Sequence, residues 1–503
     1  MTRSTPATPP RQAPAQQVAH PHIPLGMILA IAAAAQFMVV LDGSIVNVAL
    51  PAMKAGLGLT ATGQQWVVDG YLITFGGLLL FAARAGDLLG RKPVFLAGLV
   101  VFTLSSLVGG LAQDPGWLIA ARVVQGTGAA ALAPSSLSLI TASHPEGPVR
   151  SRAIAIWGAS TISAGAFGLV LGGVLTSELS WRYVLFVNVP VGVALLAAAA
   201  VSLLGAPVSR GRARIDLPGT LAVTAGVGAL VYGVSEATAQ GWGSATVIAA
   251  LAAATALLIA FVIIEARSQD PLIRLGIFRH RTLSVSNVLA AGLGVTITST
   301  LFFVSLYLQQ VTGYSALGTG LAMLPQTAVM IIGIFAGKSL TSRLGARPVV
   351  IGGSAVATAG VAWLSRLPLH SAYLAHILGP TVVIGVGMGL MLLPTSEAAT
   401  AGLDHRDAGL ASGLFNASRQ IGGAIGLAVL VTIADTAARH SHLTSLAAAT
   451  VHGYRTALLA AAAISLVATL TGLLLPRAVK DPAVTQNTGH ISAQPMSTEQ
   501  HTA

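Results

Sequence analysis

The sequence predicts an all-α polytopic membrane protein with fourteen spans. Three observations carry that expectation. Of 503 residues, 54% are hydrophobic and only 9% are charged. The apolar residues fall in continuous runs of roughly bilayer length, about 20 residues each. The Lys and Arg residues crowd into alternate connections between those runs. A soluble globular chain carries about 25% charged residues, so a water-soluble enzyme is excluded. A disordered chain would need low hydrophobicity and high charge. An outer-membrane barrel would show alternating strands in place of continuous runs.

Taken in order, residues 1–24 are rich in Pro, Gln, Thr and Ala and read as a disordered tail with no cleavable signal. Apolar runs follow at 25–50, 66–83, 94–112, 117–141, 153–176 and 183–204, which form a first six-helix bundle over 25–204. Runs at 219–237 and 245–264 form a central pair inside 205–283. Between the eighth and ninth runs, Asp270-Pro271 has the form of a helix N-cap followed by proline. Leu272, Ile273, Leu275, Ile277 and Phe278 there alternate with Arg274, Arg279 and Arg281. That pattern fits either a short amphipathic helix on the cytoplasmic leaflet or a solvated basic loop. Runs at 284–308, 319–337, 348–367, 374–397, 408–434 and 454–475 form a second bundle over 284–475, and 476–503 is a polar tail. No connection is long enough for a soluble domain.

The formal charge of +11 fits membrane topology better than nucleic-acid binding, because no face interleaves aromatic with basic residues. Of the 27 Lys and Arg residues, twenty fall on one side of the membrane and five on the other, with Arg122 and Arg419 inside spans. The positive-inside rule then places both termini in the cytoplasm. With no Cys, disulfides and thiolate metal sites are excluded. The abundance of Ala and of Arg over Lys hints at a GC-rich bacterial genome.

The two bundles look like copies of one unit. Leu89-Gly90-Arg91-Lys92-Pro93-Val94 recurs as Leu344-Gly345-Ala346-Arg347-Pro348-Val349, each after the second helix of its half. Internal repeats of this kind build many secondary transporters, with the substrate site at midplane between them.

Ionisable residues inside spans are costly and point to function. Asp42 lies about 12 Å below the outer end of span 1 at 1.5 Å per residue. It is either a carboxylate that loads and releases a proton or a polar contact between helices. Gln36 and Asn47 share one stripe of the same helix with Gly43, flanked by Asp42. Arg122 is about 7–8 Å deep in span 4; it either pairs with Asp42 or snorkels to the interface. Asp69, about 4–5 Å past Trp66, is either a second intramembrane carboxylate that attracts cations or an interfacial residue. Asn416, Arg419 and Gln420 form a polar stripe deep in span 13, with Arg419 about 18 Å from its cytoplasmic end. Substrate lining and helix packing are both open for them. Gly168/Gly172 and Gly422/Gly426 have the spacing of close helix contact. Gly337-Lys338-Ser339 imitates a phosphate-binding loop, but Ile332 stands where that motif needs glycine, so no ATP site is expected.

In chain order these motifs resemble the fourteen-span drug:proton antiporters of the major facilitator superfamily, from about Gln36 to Leu475. Leu41-Asp42 through Leu50-Pro51 matches the first-helix motif, and Arg84 to Pro93 the loop 2–3 motif. Arg122-x-x-Gln125-Gly126 matches the fourth-helix motif, and Gly168 through Gly172-Gly173 the fifth-helix antiporter motif. Trp181-Arg182-Tyr183, Asn188-Val189-Pro190, Gly241-Trp242-Gly243 and Arg419-Gln420 add to the match. Ala83, Leu88 and Leu169 depart from it, and Leu169 replaces a proline associated with export. The resemblance implies a major facilitator fold with two inserted helices. It implies proton coupling through Asp42 and Arg122, a cytoplasmic gate at Asp87 and Arg91, and substrate contacts from the cavity residues. It further implies efflux of a small amphipathic antibiotic through the bacterial cell membrane, by a monomer, with no metal, cofactor, nucleic acid or ATP. Actinobacterial antibiotic-resistance exporters are the most similar branch, which makes a puromycin-like drug the expected substrate. Span 10 holds no acidic residue, so the expected substrates are neutral or monovalent cations. Proton-coupled uptake, or a membrane sensor or enzyme, are the alternatives.

Overall fold

The computed structural model describes residues 25–202, 216–370 and 372–476. The predicted tails at 1–24 and from 477 onward lie outside the described residues, as do Arg210, Arg212 and Arg214. The described chain holds fourteen helical segments long and apolar enough to cross a membrane. The helices are α1 (Leu25–Leu57), α2 (Ala61–Leu89), α3 (Arg91–Gly110), α4 (Pro115–Ser143) and α5 (Pro148–Glu178). A short α6 (Tyr183–Phe186) and α7 (Asn188–Ser202) together make the sixth span. Then come α8 (Leu217–Gln240), α9 (Ala245–Arg267), α10 (Arg281–Leu306), α11 (Ala316–Leu344) and α12 (Ala346–Leu364). The last three are α13 (Gly379–Thr400), α14 (His405–Arg439) and α15 (Leu446–Gly472).

Side-chain caps set several helix starts outside the apolar runs. Thr60 Oγ1 accepts from Gly63 N at 2.9 Å, and Asp114 Oδ1 from Trp117 N at 2.9 Å. Each satisfies an otherwise orphaned backbone donor. The α2 helix therefore begins at Ala61, a full turn before the apolar run at 66. At the end of α3, the Arg182 Nη1 donates to Gly110 O at 2.8 Å and to Ala112 O at 2.6 Å, which satisfies free carbonyls there.

An offset of 255 residues carries Ala61–Leu89 onto Ala316–Leu344, the bounds of α2 and α11. The duplicated loop has a physical reason. Gly90 (φ 99°) and Gly345 (φ 84°) end one helix and start the next in a backbone conformation that disfavours side chains. Packing repeats as well: α1 lies on α5 as α10 lies on α14, and α4 contacts α2 and α3 as α13 contacts α11 and α12. The pair α8 and α9 pack on each other, and α8 also touches α2 and α14.

The α5 glycines are where helices meet most closely. A Cβ at Gly172 would stand 2.8 Å from Ile45 O of α1, and one at Gly173 2.8 Å from Ala316 O of α11. Gly168 meets Ser44 and Leu41 O of α1 in the same way. In α14, Gly422 and Gly426 meet Ala291 and Val295 of α10. We expect Gly172→Val to lower stability by about 1–3 kcal/mol, the cost of overpacking. Gly165→Val, about two turns earlier with open space around it, should not. Thermal unfolding of the two purified variants checks this, and equal melting would remove the packing role.

Contacts between the halves seal the end opposite the basic connections. Ser305 Oγ donates to Asn47 O and Gln309 Nε2 to Val48 O, both at 2.9 Å, while Ser177 Oγ accepts from Leu317 N at 3.2 Å. At the basic end the connection between α9 and α10 is not the leaflet helix that one of the two alternatives offered. It holds only a 3₁₀ turn, Leu275–Arg279, preceded by Arg274 and not by Asp270. Leu272, Ile273 and Ile277 are buried with Leu80 of α2, Leu283 of α10, Ala399 of α13 and Ala411 of α14. Of the five apolar side chains that suggested a lipid contact, these three are absorbed by protein, while Leu275 is half-buried and Phe278 exposed.

Candidate functional site

The first half buries an ion pair built from five helices. Asp42 (α1) and Arg122 (α4) are 0% and 2% exposed, and Arg122 Nη1 donates to Asp42 Oδ2 at 2.5 Å. Of the two alternatives for Arg122, pairing is the one observed. The other carboxylate oxygen, Asp42 Oδ1, accepts from Gln125 Nε2 at 2.8 Å and from Asn188 Nδ2 at 3.0 Å. Ser106 Oγ of α3 accepts from Gln125 Nε2 at 2.6 Å and from Asn188 Nδ2 at 3.3 Å. Arg122 also donates through Nε to Val67 O at 3.1 Å and through Nη1 to Gln125 Oε1 at 2.7 Å. Its guanidinium lies over the Tyr71 ring, 4.4 Å from the centroid.

Local sequence explains how an arginine fits there. Arg122 and Gln125 are three apart and share a helix face. The glycines that follow let α4 press against its neighbours: a Cβ at Gly126 would meet Tyr71 O at 2.5 Å, and one at Gly128 would meet Phe102 N at 2.6 Å. The break at Val187 between α6 and α7 sets Asn188 at a helix start facing Asp42. The repeat offset places Ile297 opposite Asp42 and Ile377 opposite Arg122 in the second half. The charged pair thus belongs to one half alone.

Ser106, Asn188 and Tyr71 are the partners that sequence reasoning did not assign to the site. Asn188 stands in a recognisable motif, which is the signal that could have raised it; Ser106 has no such signal.

Asp69 is fully buried within the protein. Its Oδ2 accepts from Gln65 Nε2 at 2.8 Å, and the same nitrogen donates to Ser235 Oγ of α8 at 2.8 Å. Asp69 Oδ1 has no hydrogen-bond partner. Gln36 and Asn47 are buried, each with an unpartnered side-chain oxygen. Between them Gly43 is half-buried beside open space.

On α14, Asn416, Arg419 and Gln420 remain half-buried at mid-helix depth. Arg419 Nη2 donates to Asn416 Oδ1 at 3.4 Å, and no carboxylate of the described residues lies within ion-pair distance of it. An arginine without a counter-charge is not tolerated against lipid, so this stripe faces the interior of the bundle. Gln420 also packs against α2, its Cβ 2.9 Å from where a Cβ of Gly76 would stand. Asp87 and Arg91 are not brought together: Asp87 is exposed, and Arg91 Nη1 donates to Ser138 O of α4 at 3.1 Å. The Gly337-Lys338-Ser339 run lies inside α11 and forms no loop.

A membrane helix bundle with a repeated half and a single buried charge pair is the architecture of a secondary transporter. The chain belongs to the Major Facilitator Superfamily, whose family pattern matches residues 32–427. The cephamycin export protein CmcT of Amycolatopsis lactamdurans is 46% identical over 409 residues, covering 80% of this chain and 84% of that protein. The puromycin resistance protein pur8 of Streptomyces alboniger is 40% identical over 461 residues, covering 89% and 90%. A solved point mutant of the nucleoside transporter NupG shares the fold, with a TM-score of 0.64 at 12% identity over 90% of this chain and 100% of that one. The chain is a multi-pass cell-membrane transporter and not an enzyme.

Proposed function

We propose that the protein exports a small amphipathic antibiotic from the cell in exchange for protons, as a monomer and without ATP, with its basic end in the cytoplasm. The observation that carries this reading is the Asp42–Arg122 pair. Asp42 is the one carboxylate of the described residues that is both fully buried and ion-paired. Named relatives that export cephamycin or confer puromycin resistance support efflux of an antibiotic.

Proton exchange follows from the partners of the pair. A proton on Asp42 cancels its charge and dissolves the ion pair. Arg122 then keeps Val67 O, Gln125 Oε1 and the Tyr71 ring, so the released cation is not stranded. Asn188 and Gln125 still hold the neutral carboxyl in place. Ion pair and neutral acid are therefore two satisfied states of one site, as a coupling residue requires. Gly43 joins this site to the open space beside α1, and Asn416 and Arg419 supply the opposite wall, where the drug binds. The Asp87 and Arg91 latch engages in the opposite state, when the basic end closes.

The test is drug accumulation in cells with and without the protein, before and after a protonophore collapses the proton gradient. Accumulation should fall with the protein present and recover with the protonophore. Higher accumulation in cells with the protein would show uptake and overturn the reading.

Asp69→Asn should impair export of cationic drugs more than of neutral ones. A carboxylate about 4 Å from a bound cation contributes on the order of 4 kcal/mol at an effective dielectric of 20, before desolvation. For a neutral drug that attraction vanishes. A resistance panel of matched cationic and neutral compounds at equal expression checks this. Equal loss across both sets would instead give Asp69 a structural role through Gln65 and Ser235.

A further inference from the structure

Two acidic residues that the transport mechanism does not use meet at the basic end of the inserted helix pair. Asp216 precedes α8 and is 9% exposed, and Glu265 closes α9 and is 3% exposed. Each carboxyl has one oxygen fixed by the backbone. Asp216 Oδ1 accepts from Gly219 N at 2.9 Å, and Glu265 Oε2 from Ile273 N at 2.9 Å. The other two oxygens, Asp216 Oδ2 and Glu265 Oε1, are buried with no donor. They converge on one point, lying 2.7 and 2.9 Å from where a Cβ of Gly219 would stand.

Two carboxylates cannot satisfy each other, because both are acceptors only. Burial makes such a pair of like charges costly, and the general solution is one proton shared between them. Among the described residues, no cation lies within ion-pair distance of either carboxyl. The other charged groups of the described residues at this end lie on α9, the connection and α2, while Arg210, Arg212 and Arg214 lie outside the described residues. Arg267 of α9 is exposed, and Arg274 of the connection is exposed and 3.6 Å from Asp407 of α14. Asp270 is half-buried in the same connection; on α2, Arg84 is half-buried and Asp87 exposed. A bound metal ion fits less well than a proton. Such an ion takes about six oxygen ligands, and no group of three possible metal ligands occurs among the described residues.

We propose that Asp216 and Glu265 hold one proton between them, as a proton-binding site separate from Asp42, and that this shared proton fastens the connection between α9 and α10. The amide that Glu265 holds belongs to Ile273, whose side chain is packed between α2 of the first half and α10, α13 and α14 of the second. Loss of the proton sets two carboxylates against each other and loosens the strap that joins the halves. The site thus reports pH at the basic end to the contact between the halves.

The test is thermal unfolding of the full-length protein in detergent as a function of pH, which requires no transport. The folded state binds one proton more than the unfolded chain wherever the pair is protonated only when folded, so stability is lost as pH rises. Wild type should lose melting temperature as pH rises out of the ordinary carboxylate range of about 4, with a slope that exceeds that of Glu265→Gln by up to one proton per molecule, and the excess should vanish once the shared proton has left. The Gln amide donates permanently to Asp216 Oδ2 while its oxygen still accepts from Ile273. Asp216→Asn carries the same comparison if Glu265→Gln cannot be recovered. Equal pH slopes in wild type and both variants would overturn the proposal, as would a wild type with no loss of melting temperature as pH rises out of the carboxylate range. Recovery of the melting temperature lost on raising the pH by added sodium chloride, but not by choline chloride, would show a cation site and overturn it as well. None of these outcomes depends on the protein being an exporter.

Discussion

Asp42→Asn is expected to leave the protein folded and inserted and to abolish proton-driven export. The substitution keeps the side chain's size and its oxygen acceptor toward Arg122, so Gln125, Asn188 and Ser106 retain a polar centre to surround. Arg122 loses its counter-charge but keeps Val67 O, Gln125 Oε1 and the Tyr71 ring. What disappears is the exchange between ion pair and neutral acid, because an amide does not titrate. Resistance should fall to that of cells without the protein, at a protein level near wild type. Undiminished resistance would remove Asp42 from the coupling mechanism.

Arg122→Ala is expected to be the most destabilising single change in the site. Asp42 would keep only its Gln125 and Asn188 donors while still fully buried. Breaking a buried pair by removing one partner costs about 3–5 kcal/mol, mainly because a charge is left uncompensated. Adding Asp42→Asn removes that charge, so the double variant should be more stable than Arg122→Ala alone. The coupling between the two changes is the quantity of interest, and melting temperature or membrane protein level reads it. Transport cannot read it, since either single change already uncouples. A double variant no more stable than Arg122→Ala would mean that the pair contributes little to holding α1 against α4.

The fourteen spans were legible because each apolar run is bilayer-sized, and the duplicated loop was legible because Gly90 and Gly345 are required by their backbone angles. Asp42 and Arg122 stood out because charges in apolar runs are rare, and similar depth was enough to suggest that they meet. The start of α2 was not legible, because Thr60 caps it well before the apolar run, so Asp69 stands about 12 Å along the helix from Ala61. Ser106 was invisible for another reason. A serine in an apolar helix carries no periodic mark of what it faces, and its partners are 19 and 82 positions away in the chain. The strap between α9 and α10 shows the same limit, since alternation reports an apolar face without saying whether lipid or protein covers it. Glu265 was passed over because the apolar run ends one residue before it, while α9 continues to Arg267.

Proton counterflow tests the account most directly. Purified protein is reconstituted into liposomes that enclose a pH-sensitive dye, with no imposed proton gradient. An exported drug, chosen as the one to which cells carrying the protein show most resistance, is added to one side. Wild type should move protons against the direction of drug flow, and Asp42→Asn should move none. Drug flux in wild type with no proton movement, or undiminished proton movement in Asp42→Asn, would contradict the assignment of Asp42 as the residue that couples the two.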